Sequence, residues 1–275
     1  MHDGPMTTLP TFTTLGAGPT ILMLHDIGGS HLAFAPQVES FALAGWRAVA
    51  WDMPGYGRSG PVEPYNLKAL AQSCAALIDA LQVASVALVG HGMGGMVAQE
   101  LLLRHPHLVN RLVLCGAPAR FRPRDASDLE SWRRDFVALH TAPLDAGQSM
   151  AQIAQTMVPR LIGPAALPEG VQLAVNCMGQ VNPAIWRRAW EASADFDRED
   201  NLGSIDVPTL IVAGEFDREA PPALLAQMAD RIDGCSFAEM RGVGHLMQLE
   251  APEQFDALVL DFLAQTRPIY TPNLH

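Results

Sequence analysis

Short, strongly apolar runs recur along the chain and alternate with segments whose apolar residues follow the spacing of an α-helix. The runs lie at Ile21 to His25, Arg47 to Trp51, Val86 to Val89, Arg111 to Cys115, Thr209 to Ala213 and Ser236 to Met240. Three of the first five are nearly continuous in aliphatic residues, as is typical of strands that are covered on both faces. We therefore predict a strand at each run.

Helical spacing fills the intervals between these runs. The candidate helices of this part of the pattern are Leu67 to Leu81, Met93 to His105, Pro222 to Arg231 and Pro252 to Gln265. Strands that alternate with helices indicate a parallel sheet with helices on its faces. The predicted fold class is therefore α/β.

The alternation stops between about Arg120 and Leu202. Four helix-like segments without a strand occupy this interval, at Leu129 to Leu139, Ser149 to Leu161, Val171 to Met178 and Ala184 to Ala194. A long crossover connection is one interpretation, but about 80 residues far exceed an ordinary loop. We predict a core domain of residues 1–119 and 203–275 and a helical cap, or lid, of residues 120–202.

Composition excludes several classes of partner. The 275 residues carry a formal net charge of −11, which disfavours nucleic acid and anionic membranes as partners. The four cysteines are widely spaced without a C-x-x-C pair, and residues 1–19 lack the features of a signal peptide. We expect a cytoplasmic protein without a membrane span, a metal or a cofactor.

The segment Gly90-His91-Gly92-Met93-Gly94 has the form of a nucleophile elbow, G-x-S-x-G, with glycine in the serine position. In such an elbow a strand turns sharply into a helix, so small residues are needed at Gly90 and Gly94. The central residue takes a strained backbone conformation that glycine tolerates without cost. The pattern thus predicts the scaffold of a hydrolase whose attacking oxygen is absent.

The glycines of this segment also match a second motif. Gly90, Gly92 and Gly95 match G-x-G-x-x-G, the dinucleotide-binding fingerprint. That fingerprint also needs an acidic residue at the end of the next strand, whereas Arg111 to Cys115 is followed by Gly116-Ala117-Pro118. We therefore favour the elbow and expect no bound dinucleotide.

Two downstream residues could complete a catalytic site with Gly92. Asp217 follows the strand at Thr209 to Ala213, and His245 lies in a glycine-flanked loop after the last strand. Loops at the carboxyl ends of parallel strands gather at one edge of the sheet. The order nucleophile, acid, base is that of a hydrolase triad. We therefore predict that Asp217 orients His245 and that His245 accepts a proton.

Backbone N–H groups should stabilise an oxyanion in this site. Met93 follows the elbow position at a helix N-terminus, and Ile27 lies in the glycine-rich loop after the first predicted strand. We predict that these two residues form the oxyanion hole. We expect His25 and His91 to form hydrogen bonds within their loops, and Asp52 to fix a loop rather than transfer a proton.

Five landmarks in chain order resemble those of the α/β-hydrolase family. They are Leu24-His25-Asp26, Asp52 to Ser59, Gly90 to Gly95, Gly214 to Asp217, and Gly244-His245 with Glu250 to Phe255 behind it. The resemblance covers nearly the whole chain and implies a mostly parallel, eight-stranded sheet with a helical cap over the active site. The chain looks most like small bacterial hydrolases, among them 3-oxoadipate enol-lactone hydrolases, other carboxylesterases and meta-cleavage C–C hydrolases.

The chain departs from the family pattern at two positions. Asp26 replaces the glycine of the usual H-G pair, which would reshape the oxyanion loop or add a polar group to the pocket. Gly92 replaces the serine, and loss of a triad serine costs about 10⁶-fold in turnover. The resemblance thus implies a carboxylic ester or lactone hydrolase by parentage, with very low activity as written.

Three explanations of Gly92 stay open. In the first, the glycine was introduced into a working serine hydrolase, and the chain is an inactivated or engineered variant. In the second, the His245–Asp217 dyad is the general base of a cofactor-free enzyme. In the third, the protein binds a ligand without catalysis.

The expected partner is a small, apolar or aromatic acyl compound, with a homodimer as the assembly considered. Apolar side chains in the predicted cap suit such a substrate, although residues of this kind more often serve packing between helices; they are Trp132, Phe136, Met150, Met157, Met178, Trp186 and Trp190.

Overall fold

A computed structural model of the chain describes residues 9–123 and 128–265. The described part contains one seven-stranded sheet with strands β1 (Phe12–Leu15), β2 (Thr20–Leu24), β3 (Arg47–Trp51), β4 (Val86–His91), β5 (Val109–Cys115), β6 (Thr209–Gly214) and β7 (Ser236–Met240). Their order across the sheet is β1-β3-β2-β4-β5-β6-β7. All neighbouring pairs are parallel except β1 with β3. The α/β fold class is confirmed, with seven strands in the described residues where the resemblance implied eight.

The helices are α1 (Ala35–Leu43), α2 (Leu67–Ala80), α3 (Met93–Arg104), α4 (Leu129–Asp145), α5 (Met150–Leu161), α6 (Pro168–Gly179), α7 (Pro183–Ala194), α8 (Pro222–Ala229), α9 (Met247–Glu250) and α10 (Pro252–Gln265). Neither α1 nor α9 was predicted from the sequence, and α4 runs six residues beyond the predicted end at Leu139. Among residues 9–123 and 128–265, none of the helices has the length and apolarity needed to cross a membrane.

The central strands are buried on both faces, which explains why they are apolar throughout. Ile21 and Met23 of β2 pack in the cluster that includes α1 and α10, whereas Leu22 and Leu24 pack in the cluster that includes α2, α3 and α8. Alternate residues of a strand point to opposite faces of a sheet. A strand between two helical layers therefore needs apolar residues at every position.

The helices α4 to α7 are inserted between β5 and β6. Their apolar residues belong to the same buried cluster as the core side chains of α2 and α3. Leu161 at the end of α5 accepts a hydrogen bond at 2.6 Å from the backbone N–H of His245. The inserted helices therefore lie directly on the loops at the carboxyl edge of the sheet.

The pairing of β2 with β4 positions two loops side by side at this edge. Leu24 of β2 pairs with Gly90 of β4, so the residues two positions after each of them, Asp26 and Gly92, leave the sheet at the same level. The carboxyl ends of β6 and β7 lie at the same edge and lead to Asp217 and His245. The topology thus brings four loops to one place.

Candidate active site

Gly92 forms the turn between β4 and α3. Its backbone angles are φ 52° and ψ −120°, a conformation that residues with a side chain rarely adopt. The Gly92 N–H donates to the carbonyl oxygen of Cys115 at 3.0 Å, which fixes the turn against β5. This is the strained geometry that the elbow interpretation requires at its central position.

The neighbouring glycines permit the close approach of strand and helix. A Cβ atom on Gly90 would lie 2.5 Å from the Cα of Gly95, and one on Gly94 would lie 2.1 Å from the carbonyl oxygen of Leu24. Backbone atoms occupy both places, so a side chain has no room there. Gly90 and Gly94 are therefore sterically required, as the motif predicts.

Asp217 and His245 form a buried pair beside this turn. The Nδ1 of His245 lies 2.8 Å from the Oδ2 of Asp217, and both side chains are almost fully buried. The other oxygen of Asp217 accepts hydrogen bonds from the backbone N–H groups of Glu219 and Ala220. The carboxylate is thus held from both sides and can orient the imidazole.

Gly116, just after β5, makes room for this pair. It has φ 54°, and a Cβ there would lie 3.0 Å from both the Oδ2 of Asp217 and the Nδ1 of His245. The sequence analysis assigned no role to Gly116. Its position directly after a buried strand, level with the elbow on the neighbouring strand, is the signal that could have identified it.

Asp26 extends into the space between Gly92 and His245. Its Oδ1 accepts a hydrogen bond from the Met93 backbone N–H at 2.7 Å, and its Oδ2 lies 3.6 Å from the Nε2 of His245. From the sequence, Asp26 was expected to reshape the oxyanion loop or to add a polar group to the pocket, and it does line the cavity. The structure shows that it is part of the site.

The charges of these groups depend on one another. Burial alone would lower the pKa of His245, but the adjacent carboxylates of Asp217 and Asp26 outweigh it and raise the pKa well above its ordinary value. Burial alone would raise the pKa of Asp26, yet the nearby imidazole and the Met93 N–H hold it well below its usual range. Both shifts favour the charged form of the pair, an imidazolium beside ionised carboxylates.

The predicted oxyanion-hole residues have different surroundings. The Met93 N–H is already engaged by the Asp26 carboxylate. Ile27 lies in the wall of the same cavity, and its N–H has no hydrogen bond within the described residues. A substrate oxyanion placed here would meet only one free donor and a negatively charged neighbour.

His25 and His91 both have their ring nitrogens engaged in hydrogen bonds. The Nδ1 of His25 contacts the carbonyl oxygen of Asp26 at 2.8 Å, and its Nε2 accepts from the Met53 N–H. Burial lowers the pKa of His25, and burial together with the charge of His245 lowers that of His91 to about 4. His91, the last residue of β4, contacts the carbonyl oxygen of His245 and the side-chain amide of Gln248 instead of its own loop. The lowered pKa values favour neutral rings, which suits a structural role for both histidines.

Asp52 also fixes a loop. Its Oδ1 accepts hydrogen bonds from the backbone N–H and the ring of His31, each at 2.9 Å, and its Oδ2 accepts one from the hydroxyl of Thr11. These contacts tie the segment after β3 to the loop after β2. They agree with the role expected from the sequence.

Glu250 is a supporting residue to which sequence reasoning gave no role. Its carboxylate is buried and accepts hydrogen bonds from the backbone N–H groups of Gly163, Gly244 and Leu246, at 2.7, 2.8 and 2.9 Å. Two of these donors flank His245, and the third follows α5. Glu250 therefore ties the histidine loop to the inserted helices.

A small cavity of about 20 Å³ lies over Gly92 and His245, enough space for about one water molecule. Four of the inserted-helix residues that were associated with substrate from the sequence line it: Met157, Met178, Trp186 and Trp190. Trp132 stacks on Phe136 away from this cavity. A larger groove, of about 740 Å³, lies beside Arg120 and does not reach His245.

The comparisons with known proteins identify the family of the fold. The family model for the alpha/beta hydrolase fold matches residues 19–252. The chain belongs to the α/β-hydrolase family. Within the described residues, no group of three or more His, Cys, Asp or Glu side chains is arranged to hold a metal ion.

Several proteins that are similar to this chain carry the names of hydrolases. Pyrrolizixenacetamide deacetylase of Xenorhabdus hominickii is 27% identical, over 90% of this chain and 92% of that protein. The enol-lactonase of Burkholderia xenovorans LB400 has a TM-score of 0.81 at 23% identity, covering 93% of this chain and 96% of that one. Est816, described as an N-acyl homoserine lactone degrading enzyme, has a TM-score of 0.69 at 26% identity, covering 92% and 96%.

Gly92→Ser is expected to destabilise this α/β-hydrolase by more than the roughly 1–3 kcal/mol of backbone strain alone, because the added Cβ would lie 2.1 Å from the Oδ1 of Asp26. Adding Asp26→Gly should recover part of that loss. Urea unfolding of the wild type, both single variants and the double variant measures the coupling. Strictly additive losses would show that the two positions do not compete for space.

Asp26→Asn is expected to lower the pKa of His245, because it removes one of the two negative charges that favour the imidazolium. NMR titration of the His245 ring resonances measures the change. Glu219→Gln is the matched control, since Glu219 is a second carboxylate in the cavity wall but is not among the groups that raise this pKa. An unchanged His245 titration in Asp26→Asn would contradict the charge assignment.

Glu250→Ala is expected to lower the free energy of unfolding by at least about 3 kcal/mol, because three buried N–H groups lose their acceptor at roughly 1–3 kcal/mol each. Chemical denaturation measures the loss. Glu253→Ala, an exposed glutamate three residues further along the chain, should stay within about 0.5 kcal/mol of the wild type. Equal losses in the two variants would refute the bridging role of Glu250.

Proposed function

We propose that this protein is a cofactor-free hydrolase of small, neutral esters, lactones or related acyl compounds, with His245 and Asp217 as its proton-transfer pair. The observation that carries this proposal is the buried 2.8 Å contact between the Nδ1 of His245 and the Oδ2 of Asp217, with the Nε2 of His245 turned toward the cavity. A carboxylate-oriented imidazole in a water-excluding pocket is suited to general acid–base catalysis.

The site does not support a reaction through an acyl-serine. Gly92 supplies no hydroxyl, and the Met93 N–H that would hold an acyl oxyanion is bound to Asp26. The ordinary family mechanism needs both of these groups. Water is therefore the final nucleophile in the proposed reaction, and His245 handles its proton.

The charge state gives His245 two successive tasks. Asp217 and Asp26 stabilise its protonated form, so it gives a proton to the leaving oxygen as a nucleophile displaces that oxygen from carbon. The neutral imidazole then accepts a proton from water, which restores the imidazolium as water completes the hydrolysis. The donated and the accepted proton balance over one cycle.

The cavity wall favours a neutral, mainly apolar substrate. Its described lining contains Asp26 and Glu219 but no lysine or arginine, so an anionic substrate would be repelled. Ser193 and Trp190 also line it, and the Ser193 Oγ and the Trp190 Nε1 have no hydrogen-bond partner among the described residues. These two groups are available to hold a carbonyl oxygen of the substrate. The names of the deacetylase and the lactone-degrading enzyme support the same substrate class.

Residues 120–202 act as a cap in this proposal. A cavity of about 20 Å³ admits a substrate only when the inserted helices move outward. Trp186, Trp190 and Met178 then close over the bound molecule. Water exclusion on closure would strengthen the electrostatic contacts of His245.

The contact between Asp26 and position 92 bears on the three explanations of the glycine. The Asp26 carboxylate occupies the position that a Cβ atom on residue 92 would take. This overlap supports the interpretation that Asp26 and Gly92 occur together in the natural protein. A glycine introduced alone into a serine hydrolase would not account for Asp26. The enzyme that works without serine is therefore the explanation we favour.

His245→Ala is expected to lower the hydrolysis of small alkyl esters and lactones at least about a hundredfold, because it removes the group that, among the described residues, is placed to transfer both protons. Initial rates at pH 7 measure the loss. His107→Ala is the control, because His107 is exposed and lies after α3, away from the cavity.

Wild-type rates no higher than the buffer rate would overturn the proposed function. Rates that survive His245→Ala would overturn it as well. Tight binding of a lactone with no turnover in any variant would instead support the non-catalytic alternative.

A further inference from the structure

At the elbow, the position of a nucleophile's Cβ atom is occupied by a side chain from another loop. A Cβ atom on Gly92 would lie 2.1 Å from the Oδ1 and 2.3 Å from the Cγ of Asp26. The carboxylate therefore occupies the place of a residue-92 side chain, close to the imidazole that would serve that side chain. A group of nucleophilic atoms is thus present at the elbow although residue 92 provides none.

Resting on the proposed function, we infer that Asp26 is the covalent nucleophile of this enzyme, and that it attacks the saturated alkoxy carbon of an ester or lactone. Asp26 then forms an alkyl ester, which water hydrolyses. The carboxylate takes the role that the absent serine has in related enzymes, but at a different carbon of the substrate.

The two oxygens of Asp26 have different environments. Oδ1 is held by the Met93 N–H at 2.7 Å, whereas Oδ2 is 3.6 Å from the Nε2 of His245 and is the oxygen left for substrate. The side chain is 20% exposed, and Asp26 lines the cavity. Its low pKa makes Asp26 a weak base, and a weak base is poorly suited to proton abstraction near neutral pH. An ionised oxygen that lines the cavity and is not bound to a backbone donor supports covalent attack instead.

The position of the Met93 N–H selects the carbon that is attacked. Attack on an acyl carbon would create an oxyanion on the substrate, next to a carboxylate and without the Met93 donor. Attack on a saturated carbon creates no oxyanion in the first step. The single oxyanion forms in the second step on the Oδ1 of Asp26, where the donor already lies.

In the first step a bond forms between the Oδ2 of Asp26 and the alkoxy carbon. The bond from that carbon to the ester oxygen breaks, and its electron pair stays with the departing carboxylate. The Nε2 of His245 gives its proton to this carboxylate. Esterification removes the negative charge of Asp26, so His245 then loses one of the two charges that favour its protonated form.

In the second step His245 takes a proton from water and the resulting hydroxide adds to the Cγ of Asp26. The oxyanion on Oδ1 is stabilised by the Met93 N–H. Cleavage of the Cγ–Oδ2 bond releases the alkoxide, which takes the proton from His245. The new carboxylic acid of Asp26 returns its own proton to His245, which restores the resting state with one oxygen from water in Asp26.

Oxygen-18-enriched water tests this sequence with β-butyrolactone as the probe. Under single-turnover conditions, with enzyme in excess, the label should appear in the peptide that contains Asp26 and not in the hydroxybutyrate released. Mass spectrometry of a proteolytic digest measures the label. The peptide with Asp217 is the internal control, because that carboxylate is not esterified in the inference and should stay unlabelled.

Two variants extend the test to the intermediate itself. His245→Gln should accumulate a protein adduct with the mass of one lactone on the Asp26 peptide, because a carboxylate can depart without the proton of His245 whereas the base for the second step is missing. His245→Gln with Asp26→Asn should form no adduct. The fold of each variant is checked by circular dichroism.

The outcomes separate the inference from the function on which it rests. Label in the carboxyl group of the product, with Asp26 unlabelled, would overturn covalent catalysis by Asp26 and leave the proposed hydrolase intact. The inference would fall in the same way if p-nitrophenyl butyrate were hydrolysed through His245 while β-butyrolactone was not. No hydrolysis of either probe would overturn the proposed function and the inference together.

Discussion

The hydrogen bond from the Met93 N–H to the Asp26 carboxylate is the interaction on which the site depends. It holds a negative charge at the N-terminus of α3, where the helix dipole favours it. It also places that charge 3.6 Å from His245. The same donor that would stabilise a substrate oxyanion in a serine hydrolase is thus used to position a protein carboxylate.

Sheet register makes this interaction possible. Because Leu24 pairs with Gly90, the loops after β2 and β4 leave the sheet at the same level. A carboxylate two residues beyond Leu24 then reaches the first N–H of α3 without strain elsewhere in the loop. The absence of a side chain at Gly92 is the other half of the same constraint, since a Cβ there and the carboxylate of Asp26 would overlap.

Much of this arrangement follows from the order of residues along the chain. Residues that directly follow parallel strands meet at one edge, so Asp217 and His245 could be paired from sequence although 28 positions separate them. The same rule places Asp26 at that edge. What the sequence did not reveal is that its side chain turns into the elbow, because this depends on the register of β2 and β4 and on the empty space at Gly92.

The elements that were missed have local causes. The strand β1 is a four-residue, antiparallel edge strand that is mostly exposed, so it lacks the continuous apolar run of a central strand. The helix α4 continues past the predicted end at Leu139 and includes Pro143, because the N–H groups of Ala146 and Gly147 still donate to the carbonyl oxygens of Ala142 and Leu144 in its last turn.

The hydrogen bonds that hold the His245 loop also depend on residues that are far apart in the sequence. Glu250 accepts three backbone N–H groups, two from the histidine loop and one from Gly163 of the inserted segment. Removal of a buried carboxylate that accepts three hydrogen bonds is unfavourable, because each N–H donor would be left unpaired. The position of the imidazole is therefore coupled to the inserted helices as well as to the sheet.

The charge balance of the site follows from these contacts. A serine triad has one carboxylate for one imidazole and is poised to accept a proton, whereas His245 lies between Asp217 and Asp26 and already carries one. The raised pKa of His245 contributes stability that is complete below the ordinary imidazole pKa and is lost as pH rises through the raised value. The lowered pKa of Asp26 contributes stability that is complete above the ordinary carboxyl pKa and is lost as pH falls toward the lowered value.

Both contributions are therefore complete between about pH 4 and pH 6.5. Above that window the charge on His245 persists until its raised pKa is reached, so near neutral pH the imidazole is an acid before it is a base. A site in this state has no free imidazole base at the start of the reaction. The carboxylate of Asp26, already ionised, needs no base to attack, and the imidazole becomes a base once esterification has removed the charge of Asp26.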